Sequence, residues 1–130
     1  MAFKFESLEV WQLALEYVDL IYMLAEKLPR HEEFNLKSQI TRAATSIALN
    51  IAEGSTGQSD AEQNRFLGMA VRSLIETVAC QRLIERRNYL TDDAILKDAD
   101  AKAQTLAKKL HAFRNNLTSK QPPPKAVALG

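Results

Sequence analysis

Between Ala94 and Leu117, the apolar residues Leu96, Ala99, Ala103, Leu106, Leu110, Phe113 and Leu117 recur at alternating steps of three and four. That spacing collects all of them on one face of an α-helix and is incompatible with the two-residue alternation of a strand. It is the seam of a helical bundle, with alanine at two of its places. Thr91 is the expected N-cap, Asp92 and Asp93 follow it, and Lys108, Lys109 and Arg114 come late, an order that suits the helix dipole.

The rest of the chain repeats this pattern. A helix is predicted from about Ser7 to Leu28, ended by Pro29 and the polar run Arg30–Glu33. It carries one stripe of Leu8, Trp11, Leu15, Val18, Tyr22 and Ala25 beside another of Val10, Ala14, Tyr17, Ile21 and Leu24. Two stripes make a buried face wider than a single seam requires. A second helix, Asn35 to Glu53, buries Leu36, Ile40, Ala43, Ile47 and Ile51, with Gly54 expected as a left-handed stop. A third opens on a capping box, Ser59 with Glu62, and runs to about Arg87 on Phe66, Leu67, Ala70, Val71, Leu74, Ile75 and Val78.

Gly and Pro number only four each, which favours long uninterrupted helices. Short loops between four helices predict an all-α fold, an antiparallel up-down-up-down four-helix bundle over residues 1–118. The final QPPPKAVALG has little to bury, so residues 119–130 are predicted to be a flexible tail.

Seventeen Lys and Arg against 16 Asp and Glu leave a formal charge of +1, so no global charge steers the chain to nucleic acid or membrane. Cys80 is the sole cysteine, which excludes an intramolecular disulfide and fits a reducing, cytoplasmic setting. MAFKFESLEV lacks the apolar core of a signal peptide. The longest apolar run, Leu20 to Ala25, falls far short of the ~20 residues of a membrane span.

The polar residues of the second helix are ordered. At about 100° per residue, Gln39, Arg42, Ser46, Asn50 and Glu53 fall in one narrow arc. With the turn centred near Gly57, position 42 is predicted level with 72, and 53 with 61. That register predicts ion pairs Glu53–Arg65 and Arg42–Glu76, with Asn50 bonded near the turn. The candidate structural or interface network is therefore Arg42, Asn50, Glu53, Gly54, Arg65 and Glu76.

No residue is assigned to catalysis, a cofactor or a metal. Glu53 has no partner base or nucleophile in the pattern. His31 with Glu32 and Glu33 reads as a solvated loop. Ser46 and Ser73 lack a nucleophile motif, and Gly54, Gly57 and Gly68 have the wrong spacing for a phosphate loop. Cys80 reads as a small buried side chain. Arg82, Arg86 and Arg87 form a candidate nucleic-acid contact, although Glu32, Glu33, Asp92 and Asp93 share that end of the bundle.

LEVWQLALE, SQITRAATSIALNIAEG and NRFLGMAVRSLIE resemble the family of bacterial 23S rRNA intervening-sequence proteins, also known as four helix bundle proteins. The likeness covers about Phe5 to Leu90. It rests most on Asn50-Ile51-Ala52-Glu53-Gly54, with Arg42-Ala43-Ala44 before and Arg65-Phe66-Leu67 after. The resemblance implies an antiparallel four-helix bundle, no enzymatic activity, and a homo-oligomer of five bundles in a ring or barrel. A related accessory protein of diversity-generating retroelements is strongly basic and contacts nucleic acid and a reverse transcriptase. This chain departs from it in its balanced charge, and Gln58 stands where family members often carry a basic residue. The expected function is a non-catalytic, self-assembling scaffold or adaptor. The alternatives are a nucleic-acid-binding accessory protein and, third, a small-ligand protein or enzyme.

Overall fold

The apolar segments form four helices in a computed structural model that describes residues 3–57 and 59–119. They are α1 (Glu9–Glu26), α2 (Leu36–Gly54), α3 (Asp60–Arg87) and α4 (Ala94–Ser119), with short 3-10 helices at Lys4–Ser7 and Arg30–Glu32. No strand occurs among the described residues. α4 includes Ser119, the last described residue, and the rest of the predicted tail, 120–130, lies outside the described residues.

Local chemistry sets the helix ends. Ser59 Oγ accepts the Glu62 N–H at 3.1 Å and starts α3. The reciprocal half of the predicted capping box is absent, because the Glu62 carboxylate takes Arg65 at 2.5 Å instead. Asn88, in the left-handed region at φ 58°, ends α3. At the start of α4 the capping carboxylate is that of Asp92, which accepts the Ala94 N–H at 2.9 Å, where Thr91 was expected.

Each helix packs on its sequence neighbours, and α4 closes the bundle against α1. Glu16 pairs with Lys102 at 2.6 Å and Glu9 with Lys109 at 3.4 Å, so α1 and α4 run in opposite directions. Arg82 with Asp100 and Arg114 with Asn64, both at 2.9 Å, establish the same for α3 and α4. These pairs make an up-down-up-down bundle. Ile21, Leu24, Ile40, Ile47, Ile51, Leu67, Ile84, Leu106 and Leu110 fill its core. The α4 seam is buried at every predicted place except Phe113, which is half-buried.

Only one of the two α1 stripes reaches the core. Val10, Ala14, Tyr17, Ile21 and Leu24 are buried. In the other stripe Ala25 is buried, Leu8, Trp11 and Val18 are half-buried, and Leu15 and Tyr22 are exposed. A bundle gives each helix one core and two neighbours, so a stripe on the outer edge of the α1–α2 seam has nothing above it. On α3, Phe66 is half-buried and Ile75 is 63% exposed, for the same reason.

Gly54 does not make the left-handed stop. That conformation belongs to Gly57, at φ 90°. Gly54 is the last, buried residue of α2, and its missing side chain lets α2 approach α3. A Cβ added there would lie 2.9 Å from Phe66 Cβ and 3.4 Å from the Gln63 carbonyl oxygen. Gly54→Ala gains helix propensity but overpacks the contact, and the clash outweighs the gain. A net loss of about 1–2 kcal/mol is expected in urea unfolding.

Candidate functional site

Two contacts fix how α2 meets α3. Gly54 abuts Phe66, and Ser73 Oγ donates to Ser46 Oγ at 3.0 Å. Ser46 therefore lies level with Ser73, more than one helical turn further along α3 than the predicted register. The face of α3 that meets α2 carries Gln63, Phe66 and Ser73, while Arg65 and Arg72 are exposed.

This shift removes both predicted ion pairs. Arg65 is held by Glu62 on its own helix at 2.5 Å and lies over the Phe66 ring, 4.6 Å from its centroid. Arg42 reaches only Gln39, at 3.5 Å. Glu53 and Glu76 are exposed, and neither forms an ion pair among the described residues. Asn50 is buried, but its partner is one turn back along α2 and not at the loop. Its Nδ2 donates to the Ser46 carbonyl at 2.9 Å and to Ser46 Oγ at 3.1 Å. A neutral chain, Asn50–Ser46–Ser73, thus crosses where charged pairs were expected.

The main polar network lies at the centre of the bundle. The Tyr17 hydroxyl donates to Gln81 Oε1. Gln81 Nε2 donates to Asp100 Oδ1 at 3.0 Å, and Arg82 donates to the same oxygen at 2.9 Å while reaching Glu85 at 2.8 Å. Tyr17 and Gln81 are fully buried. Burial pushes the Tyr17 hydroxyl well above the ordinary phenol range, and the negative Asp100 adds to the shift. Tyr17 is thereby kept a neutral donor. The sequence reading passed over this network, although Gln81 stands seven residues after Leu74 on the apolar row of α3. A glutamine at a core position was the available signal.

Arg82 is thereby committed to α4. Arg86 and Arg87 remain exposed at the end of α3, so the three arginines do not converge on one patch. Next to Arg82 and Asp100, α3 and α4 part to leave a groove of about 250 Å³. Ile75 and Val78 face Ala103 and Ala107 across it.

A second cluster closes the opposite end of the bundle from Gly54. Glu32, expected in a solvated loop, is buried. Its Oε2 accepts the Tyr89 hydroxyl at 2.6 Å, and its Oε1 accepts Asn35 Nδ2 at 3.0 Å and the Leu36 N–H at 3.3 Å. His31 Nε2 lies 3.0 Å from the same Tyr89 hydroxyl. The Tyr89 bond, more than any other contact, holds the Glu32 carboxyl below the usual range. The clasp ties the α1–α2 connection to the chain just after α3.

No group of three or more His, Cys, Asp or Glu side chains able to hold a metal occurs among the described residues. Cys80 is buried, and burial pushes its thiol pKa up, away from thiolate chemistry. No described helix is long and apolar enough to cross a membrane.

Residues 6–112 match the family described as 23S rRNA-intervening sequence protein. A crystal structure of a protein of unknown function from the S23 ribosomal protein family of Bacteroides thetaiotaomicron is similar, with a TM-score of 0.73 at 28% identity. The likeness covers 81% of this chain and 97% of that one. No curated protein matches the chain.

Gln81→Leu strands the Tyr17 hydroxyl in the core and is expected to cost about 1–3 kcal/mol in urea unfolding. Adding Tyr17→Phe should recover much of that loss, because both buried polar partners are then gone. Glu32 gives an acid-side test. Its lowered pKa contributes stability above the unfolded value of about 4.3, and this is lost as pH falls through the folded value. Glu32→Gln should therefore weaken the fall in urea midpoint between neutral pH and acid pH below that value.

Proposed function

The chain belongs to the 23S rRNA-intervening sequence protein family, and on that premise we propose that it is a non-catalytic bundle that assembles with copies of itself as a scaffold or adaptor. The observation that carries this reading is the outer α1–α2 seam. Leu15 and Tyr22 are exposed on α1, and Leu49 is 57% exposed on α2. The Tyr22 hydroxyl lies 3.0 Å from Thr45 Oγ1, and in the antiparallel register Leu49 then comes level with Val18. A contiguous apolar row of this kind is characteristic of a surface that another protein covers. A second copy is the simplest cover, and the family resemblance favours five copies in a ring.

The polar interior supports a structural role over catalysis. Among the described residues every buried side-chain nitrogen or oxygen has a hydrogen-bond partner, as in a network that fixes geometry. A buried, reduced Cys80 suits a bacterial cytoplasm. Nucleic-acid binding is the second reading. Exposed Arg86 and Arg87 favour it, while the commitment of Arg82 to Asp100 and the net charge of +1 favour the scaffold.

Light scattering is expected to give a mass several times the 14.6 kDa of one chain, unchanged by added RNA at moderate salt. Leu49→Lys should shift the mass toward the single chain while the helical circular dichroism stays intact. A wild-type monomer at micromolar concentration would remove the proposal. Steeply salt-dependent RNA binding would favour the second reading.

A further inference from the structure

The two halves of the bundle are unlike in charge. Helices α1 and α2 together carry five Asp and Glu against two Lys and Arg, while α3 and α4 carry ten Lys and Arg against six Asp and Glu. The net charge of +1 therefore hides an acidic edge and a basic one. They lie on opposite sides of the bundle, because α1 neighbours α4 and α2 neighbours α3.

Each edge also has an apolar feature that its own core leaves uncovered, and the two have opposite shapes. On the acidic edge Leu15, Tyr22 and Leu49 stand out as a ridge. On the basic edge there is a groove. Ala103 and Ala107 are too short to fill the space across from Val78 and Ile75, and Ile75 is left 63% exposed. Nothing from α1 or α2 of the same chain lines it. Its volume of about 250 Å³ is below the ~300 Å³ at which small-molecule pockets begin, a size for one or two side chains rather than a free ligand.

The heights also match. Glu16 pairs with Lys102, which sets Leu15 level with about Ala103. Arg82 pairs with Asp100, which sets Val78 near that level across the groove. A second copy displaced sideways, with no shift along the bundle axis, therefore presents Leu15 to the apolar middle of the groove. Resting on the self-assembly reading above, we propose that copies join head to tail, the acidic α1–α2 edge of one seating Leu15 and its apolar neighbours in the basic α3–α4 groove of the next. Unlike edges attract and orient the approach, whereas two α1–α2 edges brought face to face repel. Every copy offers one ridge and one groove, so the contact is heterologous and closes into a ring or runs on as a filament according to the angle between the edges.

The test mixes two variants of the full chain. Leu15→Glu spoils the ridge and Ile75→Glu spoils the groove; both residues are exposed, so both variants should keep the helical circular dichroism of the wild type. Each alone should fall to the mass of one chain in light scattering. Mixed in equal amounts they should recover a species of about twice 14.6 kDa, because the intact ridge of the Ile75→Glu chain fits the intact groove of the Leu15→Glu chain. An Ile75→Glu chain that assembles like the wild type would overturn the proposal and leave the α1–α2 seam to pair with itself. Two variants that stay apart when mixed, at a concentration where the wild type assembles, would overturn it too. A wild-type monomer would instead remove the self-assembly reading underneath, so the two failures are told apart.

Discussion

A phenol at the centre of an apolar bundle must find an acceptor or destabilise the fold. Tyr17 finds Gln81, and Gln81 in turn engages Asp100, so one short chain of hydrogen bonds links α1, α3 and α4. Apolar contacts tolerate sliding, since one leucine packs about as well against the next turn. A hydrogen bond with a single available partner does not. The chain therefore selects one vertical alignment of three helices, and Arg82 extends it to the surface through Asp100.

The fourth helix is aligned by different means. α2 meets α3 through a missing side chain at Gly54 and through the neutral Asn50–Ser46–Ser73 contacts. Close approach leaves no room for long charged side chains between the two backbones. Arg65 and Arg42 consequently lie outside with local partners, and Glu53 faces water. Exposed pairs of that kind contribute little. The α2–α3 contact is thus held by buried neutral groups, and the charges of Arg42, Glu53 and Arg65 are free to serve solubility or a partner. Its outward apolar row on α1 and α2 is the surface that its own core does not need.

Helix existence, order and extent were legible because period and punctuation agree. The three-four spacing, Pro29 and Ser59 each mark a boundary or a face. Which stripe of α1 faces the core was not legible, since both have helical spacing and only the position of α2 chooses between them. Register across the α2–α3 hairpin was misjudged by more than one turn, because a glycine marks a turn without fixing which levels of the two helices meet. The face of α3 that meets α2 therefore carries Phe66 and Ser73 in place of the charged row of Arg65, Arg72 and Glu76. Gly54 itself was recognised for the wrong property: sequence marks a glycine near a helix end, but only packing separates a left-handed cap from a close approach. Tyr17 and Gln81 were each visible, yet their pairing spans the diagonal of the bundle and no local pattern expresses it.

The most direct measurement follows the Tyr17 phenol itself. In a chain carrying Tyr22→Phe and Tyr89→Phe, Tyr17 is the only tyrosine left of three. An alkaline titration should show its phenolate absorbance rising only together with the loss of helical circular dichroism, because the buried hydroxyl resists ionisation while the fold persists. A reversible phenolate signal near the ordinary value of about 10, with the helices intact, would contradict a buried hydrogen-bonded Tyr17 at the centre of the bundle.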